Sequence, residues 1–98
     1  IARARQLVDE AHVPPPIELV TRIAENGDDL AARLELAQHY IEQKAWPPAF
    51  EQLLEIVRRD RAFGEDIGRK TMIETFDKAS AQPQLVAEWR RRLSSVLF

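Results

Sequence analysis

The stretch Leu30-Ala31-Ala32-Arg33-Leu34-Glu35-Leu36-Ala37-Gln38-His39-Tyr40-Ile41-Glu42-Gln43-Lys44-Ala45-Trp46-Pro47-Pro48-Ala49-Phe50-Glu51-Gln52-Leu53-Leu54-Glu55-Ile56-Val57 decides the fold. Its first half sets Leu30, Leu34, Ala37, Tyr40 and Ile41 at spacings of three and four, which stack side chains on one helix face. Its second half opens near Pro47, a residue suited to a first helical turn. It carries Phe50, Leu53, Leu54, Ile56 and Val57 and ends on Arg58, Arg59 and Arg61, cations that suit a helix C-terminus. Two helices joined by so short a loop bury their apolar stripes by folding back on each other as an antiparallel hairpin.

Similar segments flank this hairpin. Upstream, Asn26-Gly27 is a helix stop, and Asp28 or Asp29 can cap the helix that follows. A helix is predicted over residues 17–25 with Leu19, Val20, Ile23 and Ala24 apolar. Pro14, Pro15 and Pro16 separate it from another over residues 3–11, with Ala4, Leu7, Val8 and Ala11 on one stripe. Downstream, Phe63-Gly64 breaks the chain and Glu65 and Asp66 suit a helix N-terminus. A fifth helix then carries Ile67, Met72, Ile73 and Phe76 to about Ser80. Pro83 opens a sixth with Leu85, Val86, Trp89, Leu93, Val96 and Leu97. No segment alternates as a strand does. The expected fold is all-α: six helices in about three antiparallel hairpins, forming one domain over residues 1–98.

Composition narrows the function. The chain has 98 residues, 45% hydrophobic and 31% charged, with only three glycines, too few for a turn-rich β fold. Net charge is −2, so the basic excess that neutralises phosphates is missing and a helix-turn-helix nucleic-acid binder is disfavoured. Without cysteine this stretch has no disulfide and no thiolate metal site. No apolar run is long enough to span a membrane, and no signal peptide is visible. His12 and His39 are isolated, short of the three or four ligands a metal needs and without a nucleophile to serve. No catalytic, cofactor-binding or metal-binding residue is expected. The chain opens at Ile1 in helix-like sequence, which reads as a piece of a longer protein.

The hairpins repeat. Ile23-Ala24-Glu25-Asn26-Gly27-Asp28-Asp29 aligns with Val57-Arg58-Arg59-Asp60-Arg61-Ala62-Phe63 at an offset of 34 residues. Leu36, Ala37 and Tyr40 align with Met72, Ile73 and Phe76 at a slightly longer offset. The middle hairpin resembles a tetratricopeptide repeat. Leu36-Ala37 matches its large–small pair, Tyr40 its aromatic position, Ala49 the small residue of its second helix and Leu53 the apolar slot after that. Arg33 departs from the usual Trp or large apolar residue, Ile56 from a small one and Arg61 from the closing Pro. The resemblance implies a right-handed α-α superhelix. The looser outer hairpins would act as caps, with a polar outer face.

Two segments carry a narrower resemblance. Arg58-Arg59-Asp60-Arg61-Ala62-Phe63-Gly64-Glu65-Asp66, continuing through Arg69-Lys70 to Phe76, is one. Trp89-Arg90-Arg91-Arg92-Leu93-Ser94-Ser95-Val96-Leu97-Phe98 is the other. Together they resemble the C-terminal region of the bacterial thioredoxin-like, tetratricopeptide-containing proteins, the YbbN-like or chaperedoxin family. That resemblance implies an N-terminal thioredoxin-like domain outside this chain, a cytoplasmic bacterial setting, and a role in chaperoning and redox homeostasis. Its implied partners are unfolded clients, the chaperonin or Hsp70 system and the protein's own thioredoxin-like domain. The alternative is a structural module that forms a homodimer and has no binding activity of its own.

Candidate binding residues follow from the helical faces. On the third helix Leu34, Gln38, Ile41 and Glu42 lie where stacked first helices line a groove, an apolar floor with a polar rim suited to an extended or helical peptide. Leu34 and Ile41 equally suit a core. Arg90, with Arg91 and Arg92, could grip an acidic partner or form a solvated face. Successive helical positions point about 100° apart, so the three make no flat patch. Arg58, Arg59, Arg61, Arg69 and Lys70 are expected to pair with nearby acids such as Asp60, Glu65 and Asp66. Trp89 and Leu93 are expected to dock. Leu97 and Phe98 either dock too or are offered to a partner as a helix-in-groove element.

Overall fold

The computed structural model describes residues 13–98, which form five helices and, among the described residues, no strand. They are α1 (Ile17–Glu25), α2 (Leu30–Glu42), α3 (Trp46–Arg59), α4 (Ile67–Lys78) and α5 (Pro83–Leu97). The helix predicted over residues 3–11 lies outside the described residues, as does His12.

Each junction has a local cause. Asp29 caps α2, its Oδ1 accepting from the Ala32 N–H at 3.1 Å, while Arg22 at the end of α1 grips the same carboxylate through two 3.0 Å hydrogen bonds. The Arg22 hydrogen bond, seconded by the Ala32 N–H, holds Asp29 below the usual carboxylate pKa. Prolines stand in the first turns of α3 and α5, where a missing N–H costs nothing. Between α3 and α4 the chain turns through consecutive left-handed residues, Gly64, Glu65 and Asp66, so this loop stores strain at two non-glycine positions. The Asp66 carbonyl accepts from the Lys70 N–H at 3.1 Å, but its carboxylate caps no α4 amide. That carboxylate accepts from Arg69 Nε at 2.6 Å instead.

The repeat is visible in the backbone. Asn26 and Asp60, 34 residues apart, both end a helix in extended conformation, with φ −147° and −156°. At each, the side-chain oxygen accepts from the N–H two residues on, Asp28 at 3.0 Å and Ala62 at 3.1 Å. Asparagine and aspartate make this turn for the same reason: a short side chain carries the acceptor to the next exposed amide.

Packing follows the chain order. Arg59 at the end of α3 meets Asp28 just before α2 at 2.8 Å, so α2 and α3 run antiparallel. Ala37 and Ala49, both fully buried, allow that close pairing. Gly68 at the start of α4 lies against Ile56 and Val57 near the end of α3, where an added Cβ would sit 2.9 Å from Ile56 Cγ2. The α5 helix runs alongside α3 in the same direction. Its Trp89 ring lies 5.6 Å from Phe50, and Arg61 just past α3 reaches the Leu97 carbonyl near its end. Phe50, fully buried, also meets Phe76 of α4 at 5.1 Å and so ties three helices into one core. A smaller cluster of Leu19, Ala32 and Leu36, flanked by Ile23 and Tyr40, holds α1 on α2.

Arg33, where the repeat usually carries a large apolar residue, is buried. It donates to the Gly27 carbonyl at 2.8 Å and to Gln52 Oε1 at 2.9 Å, fastening the α1–α2 turn to α3. Burial, and then the Arg59 charge, lower its pKa. Two apolar expectations are corrected. Val20 of α1 is 38% exposed. Ile73, aligned with the buried Ala37, is 40% exposed. The backbones of α4 and α5 approach less closely than those of α2 and α3, so the Ile73 side of α4 is only partly covered.

Candidate protein-binding faces

The first face belongs to α2. Leu34 and Ile41 are half-buried, packed against the larger core cluster, and Gln38 and Glu42 beside them are exposed. Residues 34, 38 and 41 recur at four and three, so one turn after another presents the same edge of the helix. Both apolar residues pack against the core and keep part of their surface exposed beside the polar Gln38 and Glu42. Residues 36 further on, Lys70, Glu74 and Asp77 of α4 are exposed, so the matching edge of α4 is polar.

At the other end of the domain the structure separates what the sequence grouped. Trp89 and Leu93 are buried, and Val96 and Leu97 are half-buried against the core. Phe98 is 98% exposed. The arginine run is dispersed as helical geometry requires. Arg90 stacks over the Phe76 ring at 4.7 Å, while Arg92 stacks over Trp89 at 4.4 Å and pairs with Glu88 at 2.6 Å. Among the described residues Arg91 makes no such contact. Arg90 therefore helps to close the α4–α5 junction, beside an opening of about 280 Å³ lined in part by Asp77, Ser80, Val86 and Arg90.

Of the basic cluster between α3 and α4, Arg58, Arg59 and Arg69 pair with acids, mostly other than the expected ones, while among the described residues Arg61 and Lys70 make no ion pair. Glu55 takes both Arg58 at 3.3 Å and Arg59 at 3.0 Å, and Asp28 takes Arg59 as well. Of the anticipated acids Asp66 alone does so, with Arg69. Sequence reading also missed a groove of about 590 Å³ between α3 and α5, floored by Leu54, Trp89 and Val96. The signal was the parallel course of the two helices, which no local pattern reveals. Trp46 is buried in the α2–α3 turn. His39 approaches the Val13 carbonyl at 3.3 Å, and no cluster of metal-ligating side chains exists among the described residues. No described helix is long and apolar enough to cross a membrane.

A family model described as tetratricopeptide repeat matches residues 9–98. No curated protein and no solved structure matched the chain.

Proposed function

The chain belongs to the tetratricopeptide repeat family, whose repeats generally mediate protein–protein interaction, and from that premise we propose that it is the chaperone or co-chaperone part of a thioredoxin-like protein. In this reading it holds unfolding clients and meets the chaperonin or Hsp70 system through the α2 face, with no catalysis of its own. The observation that carries it is the strip formed by half-buried Leu34 and Ile41 between exposed Gln38 and Glu42. Such a strip accepts apolar side chains of an extended segment while its rim hydrogen-bonds the segment's polar groups. The sequence resemblance of residues 58–76 and 89–98 to the chaperedoxin family supplies the chaperone context.

Aggregation of a chemically unfolded client, followed by light scattering with the 98-residue chain present, tests the reading. Binding of purified chaperonin and Hsp70 is measured alongside. Suppression and chaperone binding are expected, both reduced by the exposed double substitution Gln38→Arg with Glu42→Arg and both retained in Arg91→Ala. No suppression together with no chaperone binding refutes the proposal.

A further inference from the structure

The groove between α3 and α5 lies apart from the α2 face and carries an ordered charge pattern. Because the two helices run parallel, their charges can be read together along one axis. Exposed Glu51 on α3 and half-buried Glu88 on α5 occupy the end nearer their N-termini. Arg58 and Arg92 lie toward the C-terminal end; Glu51, Glu55, Arg58 and Arg92 all line the groove, with Glu55 midway between Glu51 and Arg58. Among the described residues Glu51 makes no ion pair, and the pairs of Arg58 with Glu55 and Arg92 with Glu88 span single helical turns on an open surface. Such exposed pairs contribute little and reorganise cheaply.

We propose that this face is a self-association surface, on which a second copy of the chain docks with its α3 and α5 antiparallel to the first. A face on which Glu51 and Glu88 precede Arg58 and Arg92 along parallel helices is complementary to itself after a two-fold rotation, which brings Glu51 of each copy to Arg58 of the other and leaves Glu55 near the axis. A partner of uniform charge matches only half of it. The groove floor of Leu54, Trp89 and Val96 supplies the apolar centre, and the charges supply the rim. Helices of 14 and 15 residues are roughly 21 Å long and pack about 10 Å apart, so the face is roughly 20 Å on a side. That lies below the ~800 Å² per partner of a standard interface and makes the dimer weak and concentration-dependent. The inference is independent of client binding at α2 and does not require it.

Sedimentation velocity on the full 98-residue chain, from about 10 µM to about 1 mM, reads the association directly. A rise from one to two chain masses is expected. Glu51→Arg and Arg58→Glu should each weaken it about tenfold or more, since each sets like charges opposite one another. An equimolar mixture of the two variants should associate again, because every cross-pair then has opposite signs. Circular dichroism melts confirm that both variants remain folded. A monomer at every concentration overturns the proposal. So does a dimer indifferent to both reversals, or a mixture that fails to recover.

Discussion

The middle hairpin, α2–α3, and the last, α4–α5, are built on one plan and packed to different standards. Stepping 36 residues along the chain takes Pro47 to Pro83, Leu36 to Met72, Leu53 to Trp89 and Val57 to Leu93, and within each pair the last three are buried at both sites. The same step takes Ala37 to Ile73 and Ala49 to Leu85. In the middle hairpin both small residues are fully buried and the helices close on each other. In the last hairpin branched side chains stand at those places, Ile73 reaches solvent, and the wider-set helices share a side-chain core to which Arg90, stacked on Phe76, adds a cover. The second helices differ too. Ile56 is buried beneath α4, whereas its counterpart Arg92 faces water, as suits an outer helix of an array. Size at two positions thus sets how closely a hairpin packs, and polarity at a third sets whether another helix can stack on it.

Phe50 is where the two hairpins are joined, since its ring meets both Phe76 and Trp89. Phe50→Ala should cost about 3–5 kcal/mol, read from the urea midpoint, and should make α4 and α5 lose amide protection before α2. The matched sites give the sharper test. Ala37→Leu should cost about 1–3 kcal/mol by overpacking the closed hairpin, whereas Ile73→Ala, removing a part-exposed side chain, should cost under about 1 kcal/mol. Equal losses at the two positions would break the comparison.

The smallest effect lies at the α1–α2 junction. Asp29 has its pKa depressed in the folded state, chiefly by Arg22. Its charge therefore stabilises the fold above the ordinary carboxylate pKa of about 4, and that contribution is lost as pH falls through the lower folded value. Asp29→Asn keeps a capping oxygen and loses the charge. Its Tm should lie below that of the native chain at neutral pH and converge on it under acid, by differential scanning calorimetry.

Much of this was legible in the sequence for identifiable reasons. Helix periodicity, the Asn26-Gly27 stop, the Phe63-Gly64 break and the prolines at 47 and 83 are local signals, and they placed the described helices and the 34-residue step. Ile73 was misread because its apolar spacing on α4 is correct, and only the distance to α5 decides whether anything covers it. Arg33 registered as a departure from the repeat, but its partners Gly27 and Gln52 lie in other elements. The charges were harder. Asp60 and Glu65 are near the arginines in sequence, while Glu55 sits one helical turn back and Asp28 is 31 residues away across the hairpin. The α2 strip was readable as a face, because Leu34, Gln38, Ile41 and Glu42 share one helix. The α3–α5 groove, made by two distant segments, was not.

The central claim is that the closed middle hairpin offers α2 as a rigid binding face. Amide hydrogen exchange on the 98-residue chain, with and without an unfolded client, tests it most directly. The account predicts slowest exchange in α2 and α3 when the chain is free, and added protection by the client around Gln38, Ile41 and Glu42. Protection confined to α5 and Phe98, or no change anywhere at saturating client, would contradict it.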